Sequence, residues 1–294
     1  MPILIAEGWR DYELIDAGRG ERLERWGEFV LRRPDPQVLW PRQLDAKSWE
    51  RADATYHRSA SGGGRWEFRR QLPERWTIRY EPQSAAGEHT LTFHIRPTGF
   101  KHTGLFPEQA VNWEWMMGKA RGARMLNLFA YTGGATVAAT AAGANVVHVD
   151  AAKGMVAWAK ENLAISGLAD RPVRLLVDDV MKFVERERRR GHRYDAIVMD
   201  PPSYGRGTGG ETWKIEKALL PLVESARHLL SERPLFFLIN SYTTGLSPYV
   251  LENVLRTTLA SGGSATTSCG EVGLRASASG IVLPCGIFAR WEAA

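Results

Sequence analysis

Apolar and polar positions change rhythm partway along the chain. In the first hundred residues they alternate: Trp66 and Phe68 with Glu67 and Arg69, Trp76, Ile78 and Tyr80 with Thr77 and Arg79, Leu91, Phe93 and Ile95 with Thr92, His94 and Arg96. Period two with one polar face predicts half-buried antiparallel strands. Turns are expected at Ser61-Gly62-Gly63-Gly64 and over residues 84–88. Six tryptophans fall in this part (Trp9, Trp26, Trp40, Trp49, Trp66 and Trp76). Aromatics interleaved with arginine also suit base stacking, but sheet core is the reading adopted. A helix begins at Pro107, where a fixed φ suits the first turn, and runs to about residue 119. The junction is placed near residue 105, giving a β-rich unit over 1–105 and a second unit over 106–294.

Beyond the junction, short apolar runs alternate with helical stretches. Strands are predicted at 125–128, 146–149, 173–177, 196–199 and 235–239, with helices at 135–142, 155–166, 179–190, 212–230 and 248–259. Two closing segments, 265–272 and 281–289, read as a final strand pair. Strands alternating with helices imply a parallel, doubly wound sheet, and the closing pair implies one antiparallel strand.

In such a sheet, ligands bind beyond the C-terminal strand ends. That rule selects Phe129, Ala130, Tyr131, Thr132, Gly133 and Gly134, then Asp150, Asp178-Asp179, Asp200 to Tyr204, and Asn240-Ser241. The glycine pair follows a strand and opens a helix, so a ligand there meets free N–H groups and the positive end of the dipole. Asp150 stands seventeen residues beyond Gly133, near the spacing from which an acid reaches ribose hydroxyls. The spaced G-x-G-x-x-G that cradles a pyrophosphate is absent, which favours a ribose-bearing cofactor without one, such as S-adenosylmethionine (SAM). Read more plainly, Gly-Gly is a turn and the aspartates are helix caps. Asp179 is preferred over Asp178 for an adenine amino group, because Asp178 can simply be solvated. In Asp200-Pro201-Pro202-Ser203-Tyr204 two prolines force a rigid turn where the cleft opens. It fixes a carboxylate and carbonyls as acceptors for a planar amino group, beside an aromatic that stacks on its ring. Gly205, Gly207, Gly209 and Gly210 follow as a substrate loop.

Composition adds exclusions. The 294 residues are 44% apolar and 24% charged, ordinary for a globular protein, and the net charge of +5 favours an anionic partner only weakly. No run reaches membrane-spanning length, and two cysteines make neither a disulfide framework nor a metal cluster. A cytoplasmic location without metal or membrane partner is expected; the oligomeric state stays open. Arg188-Arg189-Arg190 is read as complementing a helix C-terminus rather than as an RNA patch.

The segments FAYTGGATVAA, VVHVD, Glu161-Asn162-Leu163, DDV, DPPSYGRG and LPCGIFARW resemble class I SAM-dependent methyltransferases. More narrowly, they resemble the bacterial group that modifies large-subunit ribosomal RNA at cytosine C5 or guanine N7. The resemblance spans roughly residues 90–294, starting at TGLFPEQ. It implies a Rossmann-like α/β domain with a mostly parallel seven-stranded sheet of order 3-2-1-4-5-7-6, preceded here by the smaller β-rich domain. It also implies SAM held by Phe129, Ala130, Tyr131, Thr132, Gly133, Asp150 (ribose), Asp179 (adenine) and Asp200, with Asp200, Pro201, Pro202, Ser203 and Tyr204 toward the acceptor. Two departures matter. The cysteines of cytosine-C5 enzymes are replaced by Ser203-Tyr204 and Asn240-Ser241-Tyr242, and no RNA-binding PUA module is recognisable in the first hundred residues. Methyl transfer to a base nitrogen of ribosomal RNA is therefore the expectation. Cytosine C5, a protein side chain and a small molecule are the alternatives.

Overall fold

The central feature is an eight-stranded sheet whose strands, read across, are Ile3–Ile5, Thr266–Arg275, Val282–Glu292, Phe236–Ser241, Ala196–Met199, Arg124–Leu128, Asn145–Asp150 and Val173–Val177. The computed structural model describes residues 2–59, 63–83, 89–206, 212–259 and 265–294. Seven of the eight strands reproduce the expected 3-2-1-4-5-7-6 order, and Val282–Glu292 is antiparallel to both of its neighbours. The eighth was not anticipated. Ile3–Ile5 pairs in parallel with Thr266–Arg275, so the sheet draws on both ends of the chain. Ala196–Met199 and Phe236–Ser241 are buried throughout, as continuous apolar runs covered on both faces must be. No helix is long and apolar enough to cross a membrane, and no metal-binding cluster occurs among the described residues.

A second sheet runs in chain order through Tyr12–Gly18, Glu21–Trp26, Phe29–Pro34, Ala54–Arg58 and Gly64–Phe68. Trp76–Tyr80 and Leu91–Ile95 form a separate antiparallel pair. The expected turn residues Ser61 and Gly62, the turn over 84–88, and Gly207, Gly209 and Gly210 lie outside the described residues. Most of these tryptophans pack rather than face a ligand. Trp26 and Trp49 are fully buried, and Trp9 meets Tyr80, Phe93 and Trp113 at ring separations of 4.8, 6.5 and 6.0 Å. Because Trp113 lies on the helix Ala110–Met117, this aromatic cluster joins the N-terminal part to the larger sheet's helical layer.

One expected helix starts late. Residues 212–214 form a short strand, Thr212–Lys214, paired with Tyr204–Arg206, and the helix is Ile215–Arg227. The Trp213 indole donates to the Pro202 carbonyl at 2.6 Å and the Ile215 N–H to that of Ser203, which holds this stretch extended against the proline turn.

The free edge of Leu91–Ile95 is completed by a helix instead of a strand. Ser166 accepts from the Thr92 N–H and donates to its carbonyl, Asn162 accepts from the His94 N–H, and the Trp158 indole donates to the His94 carbonyl. Side chains at and just beyond the helix Lys153–Ile165 thus satisfy backbone groups that a bare edge leaves open. Asn162 does more: its Nδ2 donates to the Thr132 carbonyl at 2.9 Å while its Oδ1 takes the His94 N–H at 2.9 Å. Replacing this fully buried amide strands two backbone groups, at roughly 1–3 kcal/mol each. Asn162→Ala is expected to lower the unfolding free energy by about 2–4 kcal/mol in a denaturant titration, with Asn162→Asp intermediate because it keeps the acceptor.

Candidate functional site

The segment leaving Arg124–Leu128 is held in an unusual backbone conformation. Phe129 and Tyr131 have φ of 54° and 50°, and Gly133, which precedes the helix Gly134–Ala141, has 84°. Left-handed backbone at two aromatic residues costs of order 1–3 kcal/mol each and persists only where neighbours enforce it. They do so here. Ala130 N–H donates to the Val149 carbonyl, Tyr131 N–H to Asp150 Oδ2 at 2.8 Å, and Thr132 Oγ1 to the Gly104 carbonyl at 2.5 Å. The glycines serve close packing. A Cβ on Gly133 falls 2.9 Å from that of Ala159, and one on Gly134 falls 2.6 Å from the Trp113 ring.

A cleft of about 410 Å³ opens beside this loop at the C-terminal strand ends. Phe129, Tyr131, Asp150, Ala151, Ala152, Asp179, Val180 and Met181 line one part; Asp200, Pro201, Pro202, Ser203, Trp213, Tyr242, Phe106 and His102 line the other. A smaller cavity of about 60 Å³ continues beneath, sharing Phe106, Phe129, Tyr131 and Asp200 and adding Ala130, Thr132 and Gly134. Of the residues the resemblance implicates, all but Gly133 and Tyr204 border one of the two spaces; Asp178 and Ser241, selected by the strand-end rule alone, border neither. Gly133 contributes the turn. Tyr204 is 54% exposed on its short strand and lines neither cavity, and the ring beside the proline turn is Trp213, 5.1 Å from Phe129.

The carboxylates differ in their freedom. Asp150 accepts from Tyr131 N–H on one oxygen and from Ala152 N–H on the other, leaving one lone-pair site per oxygen. Burial raises its pKa, and those two hydrogen bonds oppose the rise. Asp179 caps the helix Val180–Arg189 by accepting from Lys182 N–H at 3.0 Å, while Asp178 is ion-paired with Arg186 and lies outside the cleft lining. Asp200 has no hydrogen-bond donor on its side chain among the described residues. Burial, then the nearby Glu108 carboxyl, pushes its pKa up to about 7. Glu108 is itself buried, which raises its pKa too. Opposite them, burial and then Arg33, Lys101 and Arg22 hold His102 down to about 3, so its ring is neutral.

In the part of the cleft around Asp200, four lining residues escape the sequence reading: His102, Phe106, Trp213 and Tyr242. Phe106 is 5.3 Å from the His102 ring, 5.7 Å from Tyr131 and 5.0 Å from Tyr242. The Tyr242 hydroxyl accepts from Gln109, which accepts from Asn112, and Asn112 in turn bonds Asn240 and Arg290. The TGLFPEQ segment was the available signal for Phe106 and Gln109. Trp213 had none, because it lay within an expected helix.

The cleft suits SAM on chemical grounds. Asp150 retains acceptor sites for ribose hydroxyls, Ala152, Val180 and Met181 offer an apolar wall for a flat base, and Asp179 keeps one carboxylate oxygen toward it. A family model described as S-adenosylmethionine-dependent methyltransferase matches residues 77–258. A solved SAM-dependent methyltransferase from Agrobacterium tumefaciens is 38% identical, with a TM-score of 0.92 over 99% of this chain and 93% of that one. A putative methyltransferase complexed with SAH is 18% identical, with a TM-score of 0.75 over 97% of this chain and 76% of that one, a likeness of fold. Ribosomal RNA large subunit methyltransferase K/L of Shewanella baltica is 34% identical over 146 residues. That match covers 49% of this chain and 20% of the Shewanella protein, so the chain spans about a fifth of the length of the curated relatives it matches. With a family model over well more than half its length and a near full-length relative of the same fold, the chain belongs to the SAM-dependent methyltransferases.

Proposed function

We propose that the enzyme methylates a base nitrogen of ribosomal RNA. The observation that carries the choice of nitrogen is the make-up of the acceptor wall: a carboxyl, proline carbonyls, a hydroxyl and aromatic rings, with no thiol. Carbon C5 of cytosine must first be made nucleophilic through a covalent thiolate adduct. The chain's two cysteines, Cys269 and Cys285, are buried in the strands Thr266–Arg275 and Val282–Glu292. Cys269 donates to Glu252 and is pushed up to about 11, first by burial; Cys285 is raised further, again by burial. Neither is poised as a thiolate. The RNA class rests on the K/L relatives and on the positive net charge.

In this reading SAM supplies an electrophilic methyl group, and the protein supplies alignment. Asp150 holds the ribose, Asp179 the adenine amino group, and the constrained loop 129–133 surrounds the methionine portion. Asp200 and the Pro201 carbonyl take the N–H groups of the acceptor, directing its lone pair along the transfer axis. The Pro202 carbonyl is occupied by Trp213, whose ring borders the same space.

The direct test is incubation with methyl-labelled SAM and unmodified RNA, protein and metabolite fractions, followed by digestion of the RNA to nucleosides. Label is expected on a nitrogen-methylated nucleoside, and Cys269→Ser combined with Cys285→Ser should keep transfer within about tenfold. Label at C5, abolished in that folded double variant, would return the assignment to cytosine. For the cofactor, Asp150→Ala should weaken SAM binding by about 1.5–3 kcal/mol in calorimetry, and an unchanged affinity would remove Asp150 from the site.

Asp200 gives a pH signature. Its raised pKa keeps it protonated below about 7, so transfer should rise between pH 6 and 8 as the accepting carboxylate forms. Asp200→Asn should be at least about a hundredfold slower at pH 8, with that rise abolished. Stability runs the other way. The folded state holds a proton that the unfolded chain has released, so wild type loses stability relative to Asp200→Asn from about pH 4 to about pH 7. Melting temperatures of the two proteins that stay parallel across this range would contradict the assignment.

A further inference from the structure

Most large rings in the N-terminal part are buried, but Phe68 and Phe100 are 51% and 65% exposed. They belong to one construction. Phe68 stacks on Trp66 at 6.4 Å and 25°, and the Trp66 indole donates to the Thr98 carbonyl at 2.9 Å, gripping the loop that displays Phe100. Thr98 Oγ1 donates to the His102 carbonyl at 2.8 Å and accepts from the Phe100 N–H, while Arg33 donates to the Lys101 carbonyl at 2.9 Å. Loop residues 98–102 are thus braced from both sides, and their most apolar side chain still faces water. Folding does not call for that ring to be exposed.

The loop ends at the methyl-transfer cleft. His102 lines it, and two residues of chain reach at most about 7 Å, which keeps the Phe100 backbone within that distance of the lining. The rim is also positive. Lys101 belongs to the loop, and Arg58, exposed on the strand Ala54–Arg58, is close enough to act on its charge. The low pKa of His102, set first by burial, is lowered further by Arg33, Lys101 and Arg22. Asp35, the opposing acid there, is already paired with Arg22.

We propose that Phe100 and Phe68 form a stacking platform for unpaired bases flanking the methylated nucleotide, with Lys101 and Arg58 on the adjoining phosphates. Exposed rings beside cations are how proteins hold single-stranded nucleic acid, because every base has a π-face. The platform deepens the RNA reading and rests on it. It assigns substrate positioning to the N-terminal part, while chemistry stays with Asp200.

The test uses the full chain and an unmodified large-subunit rRNA transcript, with binding measured by fluorescence anisotropy. Phe100→Ala should raise the RNA Kd about tenfold, and Phe68→Ala with Phe100→Ala about a hundredfold, as loss of one and two stacked bases predicts. KM for RNA should rise while kcat at saturating RNA stays within about twofold. Phe100→Trp should retain wild-type binding, and Arg58→Ala should shallow the dependence of log K on log salt by about one. SAM affinity should not move in any variant, and melting temperature should hold in Phe100→Ala, whereas Phe68→Ala gives up its stack on Trp66 and lowers it slightly. If wild type binds and methylates the transcript but the double alanine variant binds it equally well, the platform is wrong and the RNA reading survives. If wild type neither binds nor methylates RNA, both fall together.

Discussion

One buried amide couples the two halves of the molecule. Asn162 has backbone from the N-terminal hairpin on its oxygen and backbone from the cofactor loop on its nitrogen. The loop it steadies is the costliest stretch of chain in the cleft, with left-handed backbone at Phe129 and Tyr131. That conformation is maintained by four tethers: the Val149 carbonyl, Asp150, the Gly104 carbonyl and Asn162. None of the four comes from within the loop, so its shape is set by the surrounding fold before any ligand arrives. Such preorganisation spares the binding step the entropy of ordering the loop.

The two ends of the cleft are polarised differently. Around Asp150 and Asp179, acids are partly satisfied by backbone N–H groups and keep spare lone pairs, as suits hydroxyl and amine recognition. Around Asp200 and Glu108, two carboxyls have no cation bonded to them among the described residues; burial raises both pKa values, and Glu108 adds to the rise at Asp200. The contrast with Glu24 is instructive. Fully buried, it is bracketed by Arg33 and Arg22 and falls to about 2. The fold can neutralise a buried acid when structure alone is at stake; at Asp200 it does not.

The parallel sheet was legible because Ala196–Met199 and most of Phe236–Ser241 read as unbroken apolar runs buried on both faces, and because Asn145–Asp150, Val173–Val177 and Ala196–Met199 run into acid. Asp150, Asp179 and Asp200 follow from the rule about strand ends, with no side-chain geometry required. The first sixty residues were harder. Tyr12–Gly18, Glu21–Trp26 and Phe29–Pro34 carry Asp16, Glu24 and Arg33 at buried positions, so their alternation is broken by charges that only their partners explain. Trp213 was hidden for a related reason. Its extended backbone depends on a carbonyl eleven residues earlier, and local helix preference points the other way. Tyr204 shows the converse. Adjacency to the proline turn suggested a stacking ring, but the strand pairing with Thr212–Lys214 turns it outward.

Ile3–Ile5 has a consequence for how the molecule comes into being. It is synthesised well before its partner strand Thr266–Arg275, with the whole of the rest of the central sheet except Val282–Glu292 lying between them in the chain. Its three-residue edge, fastened also by Ala6 to the Gly273 carbonyl and by Glu271 to that of Pro2, cannot form until that partner strand has been made. The neighbouring Val282–Glu292 must arrive later still before the edge of the sheet is settled. The nascent chain therefore keeps Ile3–Ile5 unpaired while everything between is made, and docks it only after its partner strand has emerged.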